Sequence, residues 1–382
     1  MTPPTVTPPT LVTPRRRFAL GGRLDRYVAS LFAGSYGVAC GLVIGLFLVL
    51  DIASNLDDYL REEAGTATPS GWTVLRYYAH ELPFLWLKLA PFVTLLAGLF
   101  TLSKLIRHRE LVACLAAGRS THRVLLPLFL CAGTLAVSMV AMGEFFTERL
   151  GARRDALLDA LVERRPFPVH ENLWVKDAAG NPIRLGSYEE QEPPVVHQLE
   201  ATRIAGDPWV EVEALRADWE PATQSWRLVG GRRLFLDELT APPERVAELE
   251  GADPIFGFRP RDVRTVAKSR ERPLDLSFSE VRRLAGRDPD NAAWQTLLQV
   301  HLTFPMAHIV LLLVGLPLLA RQERRQVEGL AAGFLLCVLF YGVDFLFRTL
   351  GMRGVLPPLL ASWIPVLFFG SLGTVLYAGA RS

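Results

Sequence analysis

The sequence predicts a membrane α-helical protein with six transmembrane helices and an inserted antiparallel β-domain, on three observations. Six long apolar stretches recur along its 382 residues, three before and three after a charged insert at 149–290. Each is long enough, or nearly so, to cross a bilayer, which takes about 20 mostly apolar residues. Inside the insert the pattern changes to short segments of alternating polarity, the period of a half-buried strand. Composition fits both environments: 50% of residues are hydrophobic and 21% charged, with the charge concentrated between the apolar stretches. A formal net charge of +2, with no basic stripe interleaved with aromatics, argues against a nucleic-acid partner.

The charge-free runs are 31–50, 89–102 with an apolar approach from Leu82, and 124–143, followed after the insert by 296–320, 329–343 and 355–380. The second and fifth are the shortest and are bounded by Lys88 and Asp344. Basic residues near span ends collect on the cytoplasmic side. Arg15, Arg16, Arg17, Arg23 and Arg26 precede the first span, Lys104, Arg107, Arg109, Arg119 and Arg123 join the second to the third, and Arg321, Arg324 and Arg325 join the fourth to the fifth. The loop after the first span carries Asp51, Asp57, Asp58, Glu62 and Glu63 instead. Both termini are therefore expected in the cytoplasm and the insert on the far side. Residues 1–17 read as a disordered tail, since the first apolar run is too long for a signal-peptide core. Cys40, Cys114, Cys131 and Cys337 all sit in or beside spans, so the insert has no disulfide of its own.

Within the insert, short strands are expected at 173–176, 183–185, 195–205, 209–213 and 225–229, separated by Gly, Pro and Asn turn signals. Such strands suit a sandwich or jelly roll. Residues 275–283 read as a short helix capped by Ser277 or Ser279, leading back to the fourth span.

The chain has no phosphate-cradling Gly-x-x-x-x-Gly-Lys-Ser/Thr loop and no Gly-x-Ser-x-Gly elbow, and His80-Glu81 and His108-Arg109-Glu110 lack the second histidine of a zinc-protease helix. No metal site, resident cofactor or catalytic residue is expected. His301 and His308, seven residues apart, share one face of the fourth span and read as packing and hydrogen-bonding residues, or else as a proton relay or metal pair. Lys88, just inside the second span, needs a partner in hydrocarbon. Asp51, Glu144 and Asp344, the last with Arg348, form a polar outer rim at span ends; Lys88 could pair with Asp51, or Lys88 and Arg348 could meet the phosphates of a lipid headgroup. The segment at 106–118 reads as a short helix with Leu111 and Leu115 and small alanines on one side, Glu110 near its start and Gly118 as its C-cap. It either docks on a soluble partner or only fills a loop.

From Leu24 to about Tyr377 the chain resembles the lipopolysaccharide-export permease family, LptF/LptG. The resemblance rests on Leu24-Asp25-Arg26-Tyr27, the run from Arg109-Glu110-Leu111 to Ala117-Gly118-Arg119-Ser120, Trp174-Val175-Lys176-Asp177, and Pro305 with Pro317, in that order. Trp174 to Asp177, Tyr341-Gly342-Val343-Asp344 and Leu356-Pro357-Pro358 favour the LptG side. The resemblance implies an inner-membrane permease subunit of a Gram-negative bacterium with a periplasmic β-jellyroll, paired with a second LptF/LptG-type permease. It also implies a cytoplasmic LptB-like ATPase dimer that uses the ATP, a single-span LptC-like protein and an LptA-like bridge that receives lipopolysaccharide. Glu110, Leu111, Leu115 and Gly118 then fall in the segment that couples to the ATPase. Asp51, Asp57 and Asp58 stand where some members carry phosphate-binding basic residues, which leaves Lys88 and Arg348 as headgroup candidates. Two rival expectations are a transmembrane mechanical scaffold and an ion-coupled transporter built on Asp344, His301 and His308.

Overall fold

The computed structural model describes residues 22–56, 71–162, 167–177, 180–203, 209–236, 245–252, 257–320 and 326–379. The expected tail at 1–17, Asp57, Asp58, Glu62, Glu63, Arg321, Arg324 and Arg325 lie outside them. The first half comprises α1 (Arg23–Ser54), α2 (Gly71–Arg107), α3 (Glu110–Ala116), α4 (Thr121–Phe145) and α5 (Thr147–Val162). Strands β1 (Val169–Lys176), β2 (Pro182–Glu189), β3 (Val195–Arg203), β4 (Trp209–Glu220), β5 (Ser225–Leu236) and β6 (Arg245–Ala252) follow. The chain returns through α6 (Pro260–Glu271), a 3-10 turn at Pro273–Asp275 and α7 (Phe278–Arg287) to α8 (Ala292–Thr303), α9 (Ala307–Ala320), α10 (Gln326–Met352) and α11 (Pro358–Gly379).

Among the described residues six helices are long and apolar enough to cross a membrane: α1, α2, α4, α8 with α9 taken together, α10 and α11. The fourth span is interrupted by a 3-10 turn at Phe304–Met306, where Pro305 has no N–H to give the helical ladder. At the centre, α2, α9 and α10 approach closely because glycine faces leucine in both directions. A Cβ on Gly98 would overlap Leu312, one on Gly315 would overlap Leu95, and one on Gly333 would overlap Leu99. Apolar attraction to lipid equals attraction to another helix, so such close backbone packing is what holds spans together.

The two ends of the bundle differ. The start of α1, the helix α3, the start of α4 and the end of α11 share one end, as Asp25 pairs with Arg123 and the His122 ring lies 3.2 Å from the Tyr377 carbonyl oxygen. The described basic residues that join spans therefore gather together. At the other end α5 leads into the sheet and α6 and α7 lead out. The expected short helix is α7, and Ser277 is its cap: its hydroxyl accepts from the Glu280 N–H while the Glu280 carboxylate accepts from the Ser277 N–H.

The insert is an antiparallel β-domain, as expected. The described strands form a single sheet in the order β1-β2-β3-β4-β5-β6, each paired with its sequence neighbours. Five strands were expected and a sixth, β6, completes the set. The inner face aligns Val175, Ile183, Ala201 and Val212 in one cross-strand row and Leu173, Leu185, Leu199 and Ala214 in the next. Further along, the inward positions change parity, to Tyr188, Val196, Ala217 and Leu228. The change coincides with left-handed backbone at Asn172 (φ 53°), Gln198 (φ 54°) and Gly230 (φ 63°), which turns the chain without losing the core. Helix α6 covers this face with Val263 and Ala267, next to Phe258, whose carbonyl accepts from the Trp226 indole at 3.0 Å.

Replacing Gly98 by leucine should force α2 and α9 apart and cost about 1–3 kcal/mol. Thermal unfolding of the detergent-solubilised protein should show a lowered midpoint, and an unchanged midpoint would contradict the leucine-into-glycine packing.

Candidate functional site

The segment expected at 106–118 as one helix is two pieces. Helix α2 continues to Arg107, the chain turns at Arg109 with φ 57°, and α3 is only Glu110–Ala116. Glu110 sits in its first turn, where a carboxylate complements exposed N–H groups. Its two oxygens each accept from the Tyr27 hydroxyl at 2.9 Å. Two residues earlier on α1, Asp25 takes a bidentate grip on Arg123, at 2.6 and 2.8 Å. The Leu24-Asp25-Arg26-Tyr27 run thus ties α1 both to α3 and to the start of α4.

At the far end of α3, Gly118 with φ 72° closes the helix, its N–H donating to the Leu115 carbonyl and the Arg119 N–H to that of Cys114. Leu111 is buried in the bundle core and Leu115 packs against it. They orient α3 rather than face solvent. The surface left outward is Val112, Ala113, Ala116 and Ala117, flanked by Arg119 and Ser120. Sequence reasoning placed the leucines and alanines on one side; the short helix, tethered at both ends, separates them. The signal that could have done so is the spacing of Leu111 and Leu115, four apart and thus both claimed by the core.

At the other end of the bundle, each outer-rim residue has a protein partner. Asp51 accepts from the Tyr78 hydroxyl at 2.8 Å, Glu144 accepts from the Ser279 N–H at 3.3 Å, and Asp344 pairs with Arg348 at 3.0 Å. Lys88 pairs with Asp275 at 3.0 Å rather than with Asp51. His301 lies 2.8 Å from the Leu297 carbonyl oxygen and 2.9 Å from that of Leu276, and His308 lies 3.1 Å from that of Pro305. Among the described residues no group of three or more His, Cys, Asp or Glu is arranged to hold a metal ion.

Asp275 opens onto a cluster missed in the sequence. Arg154 on α5 is fully buried, with its guanidinium 2.7 Å from Asp275, 2.9 Å from Asp155 and 3.4 Å from Glu81, and 4.1 Å over the Phe84 ring. Arg272 reaches Asp155 at 3.0 Å. No spacing signal links these residues, because they come from α2, α5 and the 272–275 link. Burial works to lower the Arg154 guanidinium, but Asp155, Asp275 and Glu81 more than compensate and raise it above its ordinary value. Burial likewise pushes the Asp275 carboxyl up, and the Lys88 and Arg154 charges overcome this and hold it below its ordinary 3.8.

A bundle of six apolar helices with an antiparallel sheet inserted after the third defines a multi-pass membrane protein with an appended soluble domain. The chain matches the family described as lipopolysaccharide export system permease LptF/LptG over residues 26–378, and it belongs to that family. Members are transport subunits rather than enzymes. The match covers LptF and LptG jointly and does not divide them. A search of individually curated proteins gave no match.

Since Asp275 has a depressed value in the folded state, its stabilisation is complete above the ordinary carboxylate value and is lost as pH falls through the depressed one. Asp275→Asn should remove this acid limb and, at neutral pH, cost about 3–5 kcal/mol by leaving buried Arg154 short of a partner. Unfolding midpoints measured from neutral pH down to pH 3 would check both; parallel curves for the two proteins would contradict the assignment.

Proposed function

We propose that this chain is a permease subunit of an ATP-driven lipopolysaccharide exporter in a bacterial inner membrane, with both termini cytoplasmic and the β-domain periplasmic. The observation that carries the reading is the arrangement around α3. A short helix at the basic end offers Val112, Ala113 and Ala116 outward and is fixed by Tyr27–Glu110 to α1 and by Leu111 to the core, so force on it reaches the spans directly. An LptB-like ATPase dimer supplies that force, with Glu110 as the charged contact and Leu111, Leu115 and Gly118 holding the helix in place. The gathering of basic residues at this end supports its cytoplasmic location.

A second LptF/LptG-type permease completes the cavity, an LptC-like single-span protein adjoins it, and an LptA-like bridge takes the lipid onward. The run Trp174-Val175-Lys176-Asp177, with Tyr341 to Asp344 and Leu356-Pro357-Pro358, supports reading this chain on the LptG side. Acyl chains run along the first and fifth spans, and the headgroup meets the rim near Arg348 and near Lys88, whose side chain is 41% exposed beside Asp275. Exposing acyl chains to water costs about 0.8 kcal/mol per CH₂, so a route shielded by the β-domain follows. The ion-coupled alternative gains nothing from the contacts of His301 and Asp344, which have structural partners.

The chain should be reconstituted with partner permease and ATPase in proteoliposomes loaded with lipopolysaccharide. Truncating a hydrogen-bonded charge at an interface costs about 2 kcal/mol or more, so Glu110→Ala should weaken ATPase binding by about tenfold or more and lower lipid release with it. Release that ignores nucleotide, or that follows a proton gradient, would overturn the reading. A cysteine at Leu215, exposed on β4, should react with a membrane-impermeant thiol reagent added to whole cells with permeabilised outer membranes. Reaction only after lysis would reverse the orientation.

A further inference from the structure

Helix α2 runs unbroken for 37 residues from the β-domain end to the α3 end, a length of about 55 Å. It contains Pro83 and Pro91, each of which removes a backbone hydrogen bond and favours a kink. The Arg154 cluster lies across Pro83. Glu81 is on one side of the proline, and Phe84 and Lys88 are on the other; Arg154 holds Glu81 and Phe84, while Asp275 joins Lys88 to Arg154. The same groups clasp both connections of the β-domain, since Arg154 and Asp155 belong to α5, which leads in, and Arg272 and Asp275 belong to the link that leads out. Three cations, Lys88, Arg154 and Arg272, face three anions, Glu81, Asp155 and Asp275. Ion pairs as buried as Arg154 and Asp275 at the centre of this network are poor sources of stability compared with apolar packing, and their best-attested use is to fix one geometry.

We propose that the Arg154–Asp275 pair is a splint across Pro83, which makes α2 and both connections of the β-domain move as one body. Displacement received at α3 then reaches the β-domain connections through Phe84 and Lys88 and, across Pro83, through Tyr77 and Tyr78 of α2, which pack with Leu161 of α5, instead of being absorbed at the proline. Arg154 is a positioning residue in this arrangement, and its task rests on the export reading given above.

The test uses the full complex with partner permease and ATPase dimer in proteoliposomes containing lipopolysaccharide, measuring ATP hydrolysis and lipid release together. Arg154→Gln should keep hydrolysis while losing most nucleotide-dependent release, and adding Pro83→Ala, which restores the backbone bond, should recover much of it. Spin labels at Leu335 on α10 and Leu215 on β4, both exposed, should give a narrow distance distribution in the unaltered chain, a broad one in Arg154→Gln and a narrow one again with Pro83→Ala. Should Arg154→Gln fail to fold, Asp155→Asn loosens the hold on Arg154 and Arg272 from a part-exposed position and carries the same expectations. Hydrolysis and release falling in proportion, an unchanged ratio of lipid to ATP, an unbroadened distribution, or no recovery with Pro83→Ala would each overturn the proposal. Absence of nucleotide-dependent release from the unaltered complex would instead sink the export reading, and the label distances, which need no transport, would still decide the splint.

Discussion

Hydrocarbon offers no hydrogen-bond partners, and most of this structure follows from that one constraint. Backbone groups in the spans must pair within their own helix, so the chain crosses as helices. Many side-chain polar groups in the spans find partners within the protein. Arg348 and Asp344 close on each other one turn apart, Thr94 and Thr101 donate back to carbonyls of their own helix, and Trp86 donates to the Tyr36 hydroxyl. Because lipid competes equally for apolar surface, helix association falls to close packing, and Gly98, Gly315 and Gly333 supply the recesses into which Leu312, Leu95 and Leu99 fit.

Outside the hydrocarbon the same chain follows different rules, and the junction between the two regimes is where charge is concentrated. Of the contacts at the α3 end, Tyr27 to Glu110 lies at the surface, while Asp25 to Arg123 is largely buried. At the β-domain end they are enclosed, with Arg154 out of reach of water. This asymmetry suits an end that must meet another protein and an end that must keep its own domain in register. The sheet shows a further adjustment. Its inward residues change parity along a crease marked by Asn172, Gln198 and Gly230, so that one continuous core can follow a bent surface.

The spans were legible because charge-free length is a strong signal, and the described helices exceed the apolar runs mainly by polar turns at their ends, as Arg23–Ser54 exceeds 31–50. Ser277 was legible because Ser-x-x-Glu is a local motif with a local cause. The β-domain was legible as a class and only partly in detail: the parity change at 198 interrupts the alternation that marks a strand, and β6, with Glu248 and Glu250 among small residues, lacks an apolar stripe to announce it. Helices α5 and α6 were hidden by their polarity. The Arg154 cluster was invisible for a different reason. Its members are separated by up to 194 positions (275 minus 81), and nothing in their local sequence distinguishes them from solvated charges. Lys88 was read as needing a partner, either Asp51 or a lipid phosphate, and tertiary packing sets Asp275 beside it instead of Asp51.

The position of Arg154 and Asp275 also bears on how such chains can be recombined. A graft that exchanges the soluble domain at its obvious borders carries both of these residues to the recipient while leaving Glu81, Phe84 and Lys88 behind in the host's second span. Compatibility between a transplanted domain and its new host is then decided by five side chains at the seam, and two relatives with similar sheets can still be unable to trade them.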